Sequence, residues 1–208
     1  MKVTVIGSGN MGSGFVKQLK KAGHDVRVLG RSADKAQQLA AQYGARAVGA
    51  VEAAASDVLI LATGYADAVP ALKALGALGS KVVVDVTNPL TADYMGLTVG
   101  HTSSAAEEIA KAVPDARVVK AFNTVFASVL AEGASLGAGK TVPVFVAGDD
   151  AQAKAATSEL ARSIGFDVID SGGLKNARYL EPLAGLNIYL GYGAGLGTGI
   201  APTWLRKA

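Results

Sequence analysis

The sequence contains no cysteine and only two histidines, His24 and His101, in 208 residues. Without thiols there is no disulfide, no thiolate nucleophile and no cysteine-bound metal, and two isolated histidines do not suggest a zinc site. No metal is expected. Charge is sparse as well: 18% of the residues are Asp, Glu, Lys or Arg, and the formal net charge is +3. The basic residues are scattered, with small groups at Lys17, Lys20 and Lys21 and at Arg206 and Lys207, and aromatics make up 6% of the chain. No basic stripe interleaves with aromatics, so a nucleic-acid partner is not expected, whereas a mild positive bias suits an anionic small molecule. The one uncharged stretch of near-spanning length, 183–201, is broken by six glycines, and no membrane span is expected there. Met1-Lys2 runs directly into a strand pattern; no secretory leader is expected, and the cytoplasm is the expected location.

What is abundant is apolar and small. Half of the residues are hydrophobic and 26 are glycine, a composition that fills a core and allows close packing of helices on a sheet. Apolar runs at 2–6, 26–29, 58–62, 81–85 and 117–122 read as strands, with a short one near 46–48. Helical patterns lie between them at 10–22, 33–43 and 104–112, the last opened by a Ser104/Glu107 capping signature. Strand 142–148, helix 151–164 and strand 166–170 add a further unit, and 174 to about 196 reads as mostly helical. Such alternation predicts an α/β chain of Rossmann type, a doubly wound and mostly parallel sheet with helices on both faces. The Gly- and Ala-rich segment 133–140 is the only seam, dividing a nucleotide-binding domain, 1–138, from a small C-terminal α/β-helical unit, 139–208, expected to serve the acceptor cleft or dimerisation.

Within this frame the first strand leads straight into Gly7-Ser8-Gly9-Asn10-Met11-Gly12. Gly7 suits the tight turn, Gly9 allows a pyrophosphate close to the backbone, and Gly12 lets the first helix pack on the sheet. The helix N-terminus adds unpaired N–H groups and a positive dipole end. At the end of the second strand, where an acid would select NAD, the chain has Arg31 and Ser32 with Lys35 one turn on. A guanidinium fork, a hydroxyl and an ammonium suit a 2′-phosphate, so NADP(H) is the expected cofactor. Thr63-Gly64, Thr87-Asn88-Pro89 and Ala121-Phe122-Asn123 close three further strands at the edge where such sheets bind ligands. Asn88 and Asn123 are candidates for the nicotinamide carboxamide or a substrate carbonyl.

No catalytic acid or base stands out. His24 sits in a helix–strand turn and His101 in an irregular loop, and a role for Lys120 rests on position alone. Neither a Ser-x-x-x-Tyr-x-x-x-Lys nor a Gly-x-x-x-Lys-x-x-x-Asn pattern occurs. An acceptor that takes a hydride without a positioned side-chain acid, such as a flavin or deazaflavin, suits such a site. Gly191, Gly195 and Gly199 fall at i, i+4, i+8 and would form one flat face on a helix, for packing or for an acceptor ring.

The chain resembles the coenzyme F420-dependent NADP oxidoreductases and, more distantly, the cytosolic domain of the STEAP-type ferric reductases. The resemblance rests on 7–12, on Gly-Arg-Ser (30–32) with Lys35, and on Ser-Ala-Ala-Glu-Glu (104–108). It continues through Val-Val-Lys-Ala-Phe-Asn-Thr (118–124), Val-Pro-Val-Phe-Val-Ala-Gly-Asp-Asp (142–150) and Asp-Ser-Gly-Gly-Leu-Lys-Asn-Ala-Arg-Tyr-Leu-Glu (170–181). It implies reversible hydride transfer between NADP(H) and a deazaflavin stacked in a cleft, a homodimer, and NADP contacts that include Val69, Thr87 and Ala121. It implies no acid–base residue. The archaeal members carry His where this chain has Asn123, and FMN, FAD, riboflavin or a quinone stand beside F420 as acceptors. An imine or carbonyl reductase of β-hydroxyacid dehydrogenase shape, and a non-catalytic NADP(H)-sensing module, stay open as alternatives.

Overall fold

The computed structural model describes residues 1–204 and 207; Arg206 of the C-terminal basic pair lies outside the described residues. The first half runs β1 (Lys2–Ile6), α1 (Asn10–Lys21), β2 (Asp25–Leu29), α2 (Ala33–Tyr43), β3 (Arg46–Ala47), α3 (Ala50–Ala54), β4 (Val58–Leu61) and α4 (Tyr65–Lys73). The second runs β5 (Val82–Asp85), α5 (Ala105–Ala112), β6 (Arg117–Lys120), α6 (Ala127–Glu132), β7 (Pro143–Gly148), α7 (Ala151–Ser163), β8 (Asp167–Asp170) and α8 (Ala177–Ile188).

All eight strands join in the order β3-β2-β1-β4-β5-β6-β7-β8, with every pairing parallel except β6 with β7. The sheet is therefore the mostly parallel, doubly wound sheet of a Rossmann-type fold. β7 and β8 extend it rather than forming a second sheet. The strand order reverses between β1 and β4, which opens a crevice beyond their carboxyl ends, the usual ligand position in such folds.

Fully buried strands explain the unbroken apolar runs: Val58–Leu61 has no exposed residue, because helices cover both faces. One core layer joins Val3, Val5, Phe15, Leu19, Val144 and Leu160, and the other joins Leu59, Leu61, Leu72, Val83 and Ile109. α2 begins at the Ser32 cap and stops at left-handed Gly44, as its sequence signals require. α1 meets α6 at Gly14, where a Cβ would lie 2.9 Å from Leu130 Cγ.

Three helices escape the sequence reading: α3, α4 and α6. α3 and α6 are short, and α4 carries Pro70 within it, so their apolar spacing is too brief or interrupted to stand out. The C-terminal glycine pattern is a correction. α8 ends at Ile188 and passes through a widened turn, Tyr189–Gly193; Gly195 and Gly197 then take φ of +74° and +77°. Left-handed glycines end helices, so Gly191, Gly195 and Gly199 share no helical face. Gly191 instead lets the turn close on the Phe126 ring, which a Cβ would meet at 2.7 Å. No helix among the described residues is long and apolar enough to cross a membrane.

Candidate functional site

Two cavities of nearly equal size lie along the carboxyl edge of the sheet, about 620 and about 590 Å³. The turn between β1 and α1 separates them: Gly7, Ser8 and Gly9 line the first, and Asn10 and Met11 line the second.

The glycine turn sorts its residues by purpose. Gly7 has φ +123°, and a Cβ there would run into the Ala62 carbonyl of the neighbouring strand end. A Cβ on Gly12 would strike the Gly7 carbonyl. Both glycines are required by the protein's own packing. A Cβ on Gly9 would meet nothing within 4 Å, so the missing side chain leaves open space beside the free N–H groups of α1.

Arg31, Ser32, Lys35, Thr63 and Gly64 also line the first cavity. The Arg31 side chain is 90% exposed and reaches Asp67 Oδ2 at 3.3 Å, across the cavity mouth. Ser32 Oγ accepts from the Lys35 N–H at 3.4 Å, which caps α2 and leaves the hydroxyl proton free to donate. Thr63 Oγ1 is buried with no partner among the described residues.

The second cavity draws its walls from distant segments. Phe122, wedged edge-on between Phe15 and Phe166, holds the left-handed φ of +60°. A bulky residue in that region costs about 1–3 kcal/mol and persists only where packing imposes it. The resulting bend sends Asn123 and Thr124 to the cavity wall. Asn123 Nδ2 donates to Asn88 Oδ1 at 3.0 Å and to Leu180 O at 2.9 Å, while Asn88 Nδ2 donates to Asn123 O at 2.8 Å. With both amide protons engaged, Asn123 Oδ1 is a buried acceptor without a donor among the described residues; Thr124 Oγ1 and Thr87 Oγ1 are likewise unpaired there. A cluster of orphaned polar atoms at one strand edge fits a polar, planar ligand such as a carboxamide-bearing ring. Tyr94, Met95, Phe126, Asn187 and Tyr192, which the sequence did not single out, complete the wall. Nothing local marks them, because their meeting depends on how α8 returns to the sheet.

Other expected contacts sit elsewhere. Val69 packs into the second core layer, and Ala121 is fully buried with its N–H on Asp85 O. Pro89 is buried, and its carbonyl receives the Thr98 N–H at 2.7 Å. Thr87 lies behind the wall. None of these four lines either cavity.

Beneath Thr87 is a buried charge cluster. Lys120 Nζ, with no exposed surface, bonds Asp85 Oδ2 at 2.6 Å, Thr87 O at 2.7 Å and Glu181 Oε1 at 2.8 Å. Asp85 Oδ1 accepts the Thr87 N–H, and Glu181 accepts the N–H groups of Ala105 and Ala106 at the start of α5. Burial alone would lower the Lys120 pKa; the Asp85 and Glu181 carboxylates outweigh it and hold the group above the ordinary lysine value. All three ammonium protons are committed, so Lys120 is no proton donor to a ligand. A signal was present: Asp85 and Lys120 each end an apolar run and face one another in register, and charges ending buried strands need partners. His24 bonds the N-terminus and Ser163 far from both cavities, and His101 is an exposed loop residue with φ +57°. Among the described residues no cluster of His, Asp and Glu could hold a metal.

Comparison with known proteins bears directly on this arrangement. Residues 2–89 match the family model described as NADP oxidoreductase, coenzyme F420-dependent. The F420-dependent NADP reductase of Methanothermobacter marburgensis is 33% identical over 219 residues, covering 91% of this chain and 92% of that protein. Rat metalloreductase STEAP3 is 32% identical over 183 residues, 88% of this chain; the chain spans 36% of that longer protein. A crystal structure from Arthrobacter sp. FB24, assigned as an F420-dependent NADP-reductase, superposes with a TM-score of 0.88 at 32% identity, covering 99% of this chain and all of that one. With near-complete overlap in sequence and in fold, the chain belongs to the F420-dependent NADP reductase family and is, by family, an NADP-dependent oxidoreductase.

Proposed function

We propose that this chain transfers a hydride between NADP(H) and a planar acceptor, coenzyme F420 or a related flavin. The observation that carries this reading is that one turn, the glycine motif, divides two cavities of about 620 and about 590 Å³ at the carboxyl edge of the sheet. Gly9 faces the side that carries Arg31, Ser32 and Lys35, and Asn10 and Met11 face the side edged by Asn88 and Asn123. A dinucleotide laid across Gly9 would put its adenosine end in the first cavity and its nicotinamide at the second. Arg31, Ser32 and Lys35 would hold the 2′-phosphate. The open space at Gly9, the helix N–H groups and the orphaned Thr63 Oγ1 fit the phosphates and ribose. Asn123 Oδ1, with no donor of its own, fits the carboxamide N–H.

When bound, NADPH supplies the hydride at its nicotinamide ring. The chain's part is to align two rings: among the described residues the titratable side chains lining the second cavity are Asp93, Tyr94 and Tyr192, with neither a lysine nor a histidine. Tyr94, Phe126 and Tyr192 offer ring faces there, and an acceptor whose ring nitrogen is protonated from solvent needs no side-chain acid. Residues 139–208 act as the acceptor-side unit through α8. The apolar outer strip Leu186, Tyr189, Tyr192 and Leu196, all exposed, supports a homodimer.

The test is absorbance-monitored turnover with NADPH against F420, FMN, FAD and riboflavin in parallel, with imines and carbonyls as a second panel. Loss of the F420 or flavin chromophore is expected. Turnover of the second panel alone would replace this reading with the imine or carbonyl reductase, and tight NADPH binding without any turnover would replace it with the sensor.

A further inference from the structure

We propose that the buried Asp85–Lys120–Glu181 cluster positions the acceptor-side half of the site, by fixing helix α8 against the end of β5 and so setting the width of the second cavity. This rests on the reading that the two cavities take the two ends of one dinucleotide.

The geometry is a closed ring. From Lys120, at the end of β6, one bond reaches Asp85 at the end of β5, one reaches the Thr87 carbonyl just beyond it, and one reaches Glu181 on α8. Asp85 also holds the Thr87 N–H, so the peptide groups on both sides of Thr87 are fixed. The next residue, Asn88, locks to Asn123, and Asn123 returns to α8 through Leu180 O, the neighbour of Glu181. Strand end and helix are thus tied at adjacent residues by two independent routes. Farther along α8, Ala184, Asn187 and Ile188 line the cavity, and Tyr192 follows in the turn beyond.

Packing alone does not account for the charges. Burying three ionised groups is costly, and an apolar plug of equal volume often stabilises as much or more. What an ammonium with three fixed acceptors adds is direction: it dictates where two carboxylates and one carbonyl must stand. No member of the cluster itself lines either cavity, and Glu181 also holds the start of α5; but the residues close to the cluster in the chain, Val86, Asn88 and Ala184, line the second cavity and none of them lines the first.

Glu181→Gln and Lys120→Met separate this role from a general structural one. Two ligands are compared by calorimetry: 2′,5′-ADP, which occupies only the first cavity, and NADPH, which needs both. The expected result is a 2′,5′-ADP Kd within about twofold of the parent and an NADPH Kd raised about tenfold, the scale of one charge-assisted hydrogen bond. The KM for F420 or FMN rises with it. Parallel weakening of both ligands, or no change in either, overturns the inference. If Lys120→Met does not fold, Glu181→Gln decides by the same comparison, because it keeps size and removes only one charge. Should the parent bind NADPH but reduce neither F420 nor flavin, the functional reading fails while the two-ligand comparison still judges the cluster.

Discussion

The two cavities are close in volume and opposite in construction. The first is built around three tight turns, 7–9, 30–32 and 62–64, with Lys35 of α2 and Asp67, Pro70 and Ala71 of α4 completing it. The second is made of side chains from the 86–95 segment, the bend at Phe122 and the far end of α8. A site made of turns depends on where a Cβ is absent. A site made of converging side chains depends on what holds distant segments together, here a buried ammonium and a pair of asparagines. The first should therefore fail through glycine and charge substitutions, and the second through changes in its supports.

The sharpest way to break the comparison lies inside one motif. In Gly12→Ala the new methyl is driven onto the Gly7 carbonyl, and neither backbone has room to give. A destabilisation of about 3 kcal/mol is expected, at the upper end of ordinary overpacking, with loss of nucleotide binding as a consequence. In Gly9→Ala the methyl enters open space from an extended backbone, φ −81° and ψ −167°. Stability should move by about 0.5 kcal/mol or less, a small cap penalty against a small entropic gain. NADPH affinity should still fall at least about tenfold, because the methyl occupies the phosphate approach. Chemical denaturation and calorimetry on both variants check this. Equal loss of stability in the two would show that the motif is only a packing device.

Arg31→Ala comes next in size and touches the first cavity alone. The side chain is 90% exposed, so folding stability should stay within about 0.5 kcal/mol of the parent. Losing a charge-assisted bond to the 2′-phosphate should cost about 1.5–3 kcal/mol, which is roughly a 10- to 150-fold rise in the KM for NADPH, while NADH kinetics barely move. Equal losses with both nucleotides would remove Arg31 from cofactor selection.

The same contrast explains what can be read from the chain. β1, α1, β2 and α2 are legible because strand, turn and caps are encoded within about thirty residues, a span typical of one such unit. The glycine-turn and 30–32 side of the first cavity comes with them; its far wall, Ala50 of α3 and Asp67, Pro70 and Ala71 of α4, belongs to helices that local patterns do not mark. Asn88 and Asn123 are visible as strand-end residues, but their mutual bonds and their grip on Leu180 depend on the return of α8 after some sixty intervening residues, a contact that local patterns do not encode. The role of Glu181 is hidden for the same reason. The tail misleads because a spacing of four suggests a helix, whereas Gly195 and Gly197 are used for the one conformation that ends it.

The smallest effect expected comes from the outer tether of α8. Arg178 on α8 forks onto Glu107 on α5, Nε to Oε2 and Nη2 to Oε1, both at 2.8 Å. The guanidinium hydrogen bonds, working against partial burial and helped by Ser104, hold the Glu107 carboxyl below the ordinary glutamate value. A depressed carboxyl contributes stability that is complete above its unfolded pKa and is lost as pH falls through the folded one. Glu107→Gln should therefore cost about 1 kcal/mol or less at neutral pH, given the solvent near the pair. Its deficit relative to the parent should shrink on acidification below the glutamate range, as the parent protonates and surrenders the same bonds. Urea midpoints at neutral and acidic pH measure that convergence. The pair lies outside the Lys120 ring, so the KM for the acceptor should hardly change. A rise as large as that expected for Glu181→Gln would mean that the cavity width is set from the surface of α8 as much as from its buried end.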